Sequence, residues 1–64
     1  MEAWEAPKNV GKRVRVVRPI TETERNLLGR EYLLERVTKP HGYAVCRDET
    51  GAWWLHPESL EVVE

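Results

Sequence analysis

The sequence predicts an all-β domain, a small five-stranded barrel with a long first loop, and three stretches carry that expectation. Lys12–Pro19 reads Lys-Arg-Val-Arg-Val-Val-Arg-Pro, an alternation of charge and valine that marks a half-buried strand. Tyr43–Asp48 and Ala52–His56 flank Glu49-Thr50-Gly51, the pattern of a hairpin with glycine at the left-handed position. Pro57-Glu58-Ser59-Leu60 then fits a single 3₁₀ turn before a last short strand, Glu61–Val63. A chain of 64 residues is one domain near the lower size limit for independent folding, so its core must consume most of its apolar residues.

Each element follows from local chemistry. Met1–Asn9 holds Trp4 and Pro7 but no period and reads as an arm (residues 1–9) ahead of the barrel (residues 10–64). Val14 and Val16 should point inward from the first strand, and Pro19, which lacks a ladder donor, should end it. Thr21 with Glu24 three residues later is a capping-box pattern, and Gly29 is a plausible stop, so one short helical turn is expected inside the long loop. Glu31–Thr38 is the second strand, with apolar residues on both faces, and Lys39-Pro40-His41-Gly42 is the turn that reverses it. The expected core is Val14, Val16, Leu33, Val37, Val45, Leu55, Leu60 and Val62.

Composition narrows the function classes. With 41% apolar and 33% charged residues the chain is globular, not disordered. The single cysteine, Cys46, leaves an internal disulfide without a partner. No apolar run approaches the ~20 residues of a membrane span, and Met1–Asn9 is not a basic-then-apolar leader, so a cytoplasmic protein without membrane partners is expected. The net charge of −1 exerts no global pull on nucleic acid. Charge is nonetheless uneven: Lys12, Arg13, Arg15 and Arg18 crowd the first strand, and Glu58, Glu61 and Glu64 the tail. The basic cluster, with Arg47, could be a phosphate-binding stripe. The favoured reading is that first and last strands are neighbours, with opposite charges helping to fix the pairing.

Catalytic and metal chemistry find few residues. Cys46, His41 and His56 offer neither a CxxC nor an HxxxH spacing, so no metal or other cofactor is expected. Cys46 and His56 could form a nucleophilic pair if they faced each other, but a lone cysteine on a barrel strand is usually a small core residue. The four glycines are spread one per turn and form no phosphate loop. An enzyme is the weakest class.

Aromatic residues are the better lead. Trp53 and Trp54 are adjacent on one strand, so alternation sends them to opposite faces. If Trp53 joins Leu55 inside, Trp54 is outside; the sequence leaves the choice open. Whichever is outside is a candidate anchor for a partner protein, or else packs on Trp4 or on Leu27 and Leu28 of the long loop.

The stretches Gly11-Lys-Arg-Val-Arg-Val, Leu28-Gly29-Arg-Glu and Trp54-Leu-His-Pro-Glu-Ser-Leu-Glu-Val give the chain a resemblance to the SH3-like barrel class. It looks closest to small prokaryotic accessory-subunit barrels, of the photosystem I accessory subunit and ferredoxin–thioredoxin reductase variable subunit type. That resemblance implies a five-stranded SH3-like barrel with a long first loop; families of this kind share the scaffold and diverge in partners. A second resemblance, to peptide-binding SH3 domains, rests on Gly51-Ala-Trp53-Trp54-Leu and Pro57-Glu-Ser-Leu, and it implies Trp53 as the groove tryptophan.

The expected function is a non-catalytic protein-binding module, monomeric or weakly self-associating, that docks on another protein. Its contact residues would be Trp53, Trp54, Tyr43 and Trp4, with Leu27 and Leu28 of the loop Ile20–Leu28. The alternative is a nucleic-acid-binding barrel using Lys12, Arg13, Arg15, Arg18 and Arg47.

Overall fold

Five antiparallel strands, β1 (Arg13–Val16), β2 (Glu31–Val37), β3 (Ala44–Asp48), β4 (Gly51–Leu55) and β5 (Leu60–Val62), form one sheet in the order β4-β3-β2-β1-β5. The computed structural model describes residues 1–63. The first and last strands are indeed neighbours, with Val14 opposite Val62, Arg15 opposite Glu61 and Val16 opposite Leu60. A 3₁₀ turn, Pro57–Ser59, carries the chain from the β4 edge to the β5 edge and gives the curled sheet its barrel-like form. Strand ends differ from the sequence expectation by one or two residues in most cases, as hydrogen bonding at element ends dictates.

Period-2 geometry decides the core. Val14, Val16, Tyr32, Leu34, Ala44, Cys46, Leu55 and Leu60 line the inner face, and Leu27 joins them from the long loop. Val62 and Met1 pack on this cluster from the side. Leu33, expected inside, is 47% exposed. The reason is register: Tyr32 sits opposite inward Val14, so its neighbour must face out. A bulge between Leu34 and Arg36 then reverses the parity of β2, placing Val37 opposite inward Ala44, where it is half-buried. Val45 is buried as expected, but on the outer face, flanked across the ladder by Arg36 and Trp54.

The first nine residues are more than an arm. Ala3–Asn9 is a 3₁₀ helix that buries Ala6. The Met1 amino group donates to Pro57 O at 3.2 Å and also to Leu60 O, which ties this helix to the turn before β5.

The β3–β4 hairpin is built by one side chain. Asp48 Oδ1 accepts from Thr50 N (2.8 Å), Thr50 Oγ1 (2.7 Å) and Gly51 N (3.1 Å), and these bonds hold its carboxyl below the usual carboxylate range. Arginines of β1 and β3 are also answered within the sheet by carboxylates of β2. Arg15 Nη2 meets Glu31 Oε2 at 2.6 Å, Arg13 Nη1 reaches Glu31 Oε1 at 3.7 Å, and Arg47 grips Glu35 at 2.6 and 3.2 Å. The hydrogen bond and charge of Glu31 raise the Arg15 pKa, and Glu61 across β5 adds to the effect. Opposite charges do face each other across β1 and β5, with Arg15 opposite Glu61, while the direct ion pair of Arg15 is to Glu31 on β2.

These orientations separate two adjacent leucines. Leu34→Ala should cost about 2–5 kcal/mol, the range for a fully buried leucine, whereas Leu33→Ala should stay within about 0.5 kcal/mol. Urea denaturation of both variants checks the register directly; equal losses would contradict it.

Candidate functional site: an aromatic groove fastened by a buried carboxylate

The long loop behaves as its pattern predicts and then does something further. Thr21 caps a short helix, α1 (Glu22–Asn26): its Oγ1 accepts Glu24 N at 3.1 Å, and Glu24 Oε1 reaches back to Thr21 N at 3.4 Å. Gly29 stops the loop at φ 86°, a value that suits glycine, and donates to Val16 O at 2.8 Å. Leu27 was expected on the contact surface; the C-terminal end of α1 turns it into the core, where it is 5% exposed. Leu28 and Ile20 remain outside.

Glu24 is the residue that sequence reasoning missed. The residue is 1% exposed, yet its two carboxylate oxygens accept from five donors. Oε1 accepts from Ile20 N (2.9 Å), Thr21 N (3.4 Å) and Ser59 Oγ (2.6 Å); Oε2 accepts from His56 N (2.7 Å) and lies 3.0 Å from His56 Nδ1. Because a carboxylate only accepts, this last contact places a proton on Nδ1. Burial alone would raise the Glu24 pKa. The bonds from Ser59, the His56 and Ile20 amides and the His56 ring overcome that and hold it at about 2. The Thr21-x-x-Glu24 signature signalled the cap, but nothing in local sequence signals a reach of 35 residues to Ser59.

Fastening α1 to the start of the Pro57–Ser59 turn creates a groove. Thr21 and Thr23 form one wall, Tyr43, Trp54 and His56 the other, and Glu24 and Leu55 contribute to the lining of a space of about 410 Å³. Tyr43 is set by Thr38, whose Oγ1 accepts Tyr43 N at 2.9 Å and whose amide donates to Tyr43 O at 2.8 Å. Its ring lies 5.3 Å from His56, edge to face, 6.3 Å from Trp54 and 6.2 Å from His41. The Arg36 guanidinium sits 6.0 Å from the Trp54 centroid, on the far side of the strand ladder from the core. A larger open groove, about 530 Å³, runs between the N-terminal helix and β5, lined by Met1, Glu5, Arg18 and Glu61 among others. It lacks an aromatic wall.

The choice between the two tryptophans is resolved. Trp53 pairs with inward Cys46 and is 36% exposed at the rim of the core face; Trp54 pairs with Val45 on the outer face and is 59% exposed. The groove beside the long loop therefore holds Trp54, where the resemblance to peptide-binding SH3 domains implied Trp53. Trp4 is exposed but engaged locally, with Nε1 donating to Glu2 at 2.7 Å and Lys8 Nζ 4.9 Å over its ring.

The remaining candidates are scattered. Arg13, Arg15 and Arg47 are ion-paired, while Lys12 and Arg18 are exposed. Cys46 and His56 do not form a pair: the thiol lies in the core 3.8 Å from Ala44 O, and the imidazole turns to Glu24. Burial, with the Glu24 charge adding, pushes the Cys46 thiol up to about 12. Among the described residues no group of three His, Cys, Asp or Glu is placed to hold a metal. No helix there is long and apolar enough to cross a membrane. Tyr32 Oη is buried without a hydrogen bond; burial raises its pKa, and the nearby Arg30 side chain only partly offsets this.

Two outcomes follow for Glu24 and Cys46. The folded carboxyl at about 2, against 4.5 ordinarily, corresponds to about 3 kcal/mol of stabilisation. That contribution is complete above about pH 5 and is lost as pH falls from 4.5 through 2, where the unfolded chain takes up the proton first. Glu24→Gln, which turns an amide N–H toward the His56 N–H, should cost about 3 kcal/mol at pH 7 and flatten this acid limb in denaturation curves taken against pH. Cys46 should resist alkylation at pH 8 in the folded protein and react promptly in denaturant, read by mass spectrometry.

Comparison with known proteins finds no matching family model, no matching curated protein and no matching solved structure.

Proposed function

We propose that this chain is a non-catalytic protein-binding module of the SH3-like barrel class, an accessory subunit that docks a partner through the groove between α1 and β4. The observation that carries this reading is the position of Trp54. It is a large indole, 59% exposed, standing beside Tyr43 and His56 and opposite the loop wall of Thr21 and Thr23. Exposed aromatic rings held in place by their neighbours lose little entropy on binding and are enriched among the residues that dominate interface energy. The loop is rigid where it matters, because Glu24 fixes it to the barrel from beneath. The resemblance of the chain to small accessory-subunit barrels points the same way.

The nucleic-acid alternative is weaker on electrostatic grounds. Arg13 and Arg15 share Glu31, Arg47 pairs with Glu35, and the chain as a whole carries a net charge of −1. Lys12 and Arg18 are the stripe's exposed cations outside these ion pairs, and the global field does not favour nucleic acid.

The test is affinity capture from native lysate at low and high salt, with wild type, Tyr43→Ala, Trp54→Ala and Trp53→Ala. A salt-resistant protein partner should be retained by wild type. It should be lost with Trp54→Ala, at about 30-fold or more in affinity, and weakened with Tyr43→Ala. Trp53→Ala should bind more like wild type. Retention by Trp54→Ala, or recovery of nucleic acid that washes off with salt, would overturn the reading.

A further inference from the structure

The edges of this sheet are unequally protected. β5 and β4 are the two outer strands. On β5 the carbonyl of Leu60 is covered by the Met1 amino group. On β4 the relevant groups follow from the ladder. Thr38 N donates to Tyr43 O, so Tyr43, Val45 and Arg47 turn their backbone groups toward β2. Ala44, Cys46 and Asp48 then face β4, bonded to Leu55, Trp53 and Gly51. By the same alternation Ala52, Trp54 and His56 direct their N–H and C=O groups away from the sheet. Glu24 takes the amide of His56. Ala52 and Trp54 keep theirs toward solvent, on a strand with no lysine, proline or bulge of the kind that blunts natural edges.

We infer that β4 pairs with β4 of a second copy of this chain, antiparallel and two-fold symmetric about Trp53. The segment Gly51–Leu55 is self-complementary in that register. Ala52 of one copy lies opposite Trp54 of the other, a small residue beside a large one, and both outward N–H and both outward C=O groups of each chain are used. The two Trp53 residues meet across the axis as a close, non-hydrogen-bonded pair. No charged residue lies in Gly51–Leu55, so the pairing meets no like-charge repulsion there. Its length is limited at one end by the bond from His56 to Glu24 and at the other by the Glu49-Thr50 turn. A contact of two short strands and four partly exposed indoles falls below the ~1,200 Å² of stable interfaces, so the dimer is weak and depends on concentration. This inference rests on the backbone edge of β4 and shares the Trp54 indole with the proposed groove; its test reads self-association of the purified chain, so its failure is distinguishable from a failure of the docking function.

Sedimentation equilibrium from about 10 µM to about 1 mM brackets the affinity of such a contact. Wild type should shift from monomer to dimer across that range, and hydrogen exchange at the Ala52 and Trp54 amides should slow in step. Ala52→Lys sets a charge against the opposing indole and should raise the dissociation constant at least about tenfold. Leu33→Ser, which removes an exposed apolar group elsewhere on the sheet, should leave it unchanged. A monomer throughout, or association that survives Ala52→Lys, would overturn the proposal. So would a dimer whose Ala52 and Trp54 amides exchange freely at every concentration.

Discussion

A single buried carboxylate organises the surface of this small domain. Glu24 lies under the long loop, 1% exposed, and gathers the amides of Ile20, Thr21 and His56, the hydroxyl of Ser59 and the ring of His56. An ionised carboxylate out of water is costly unless its lone pairs are filled, and here five donors fill them. The donors come from two parts of the chain that share no secondary structure, the cap of α1 and the turn into β5. Their common acceptor is what makes a surface loop part of a rigid scaffold. Without that bond the groove beside Trp54 would have only one wall.

The rest of the design is an accommodation to size. A chain this short has one inner face to fill, and it fills it with valine, leucine, Tyr32 and Cys46 from all five strands. The tryptophans are left over. Trp53 sits at the rim and Trp54 outside, so two of the largest apolar groups in the molecule contribute surface more than core. In a domain near the lower size limit, leaving such area unburied forgoes stabilisation.

How much of this was legible in the sequence depends on the range of the interaction. The strands, the hairpin at Gly51, the 3₁₀ turn at Pro57 and the capping box at Thr21 rest on neighbours in sequence, and each stands where the local pattern placed it. The pairing of β1 with β5 was legible through charge and valine alternation. Leu33 misled because Tyr32, Leu33 and Leu34 are all apolar, and only pairing with β1 shows which two face inward. Leu27 misled because a helix of five residues has no periodicity from which to read a buried side. The tryptophan ambiguity needed the ladder opposite Val45 and Cys46. Glu24 lay furthest from view: its cap is local, but its decisive partners are more than thirty residues away.

The tie that the ionised Glu24 side chain makes between the loop and the barrel can be followed by its own titration. Carbon-detected NMR titration of the Glu24 carboxyl in the folded protein should give a midpoint near 2, with the His56 amide proton shifting at the same midpoint. A midpoint at the ordinary 4.5, with a His56 amide that does not respond, would mean that Glu24 does not hold the loop.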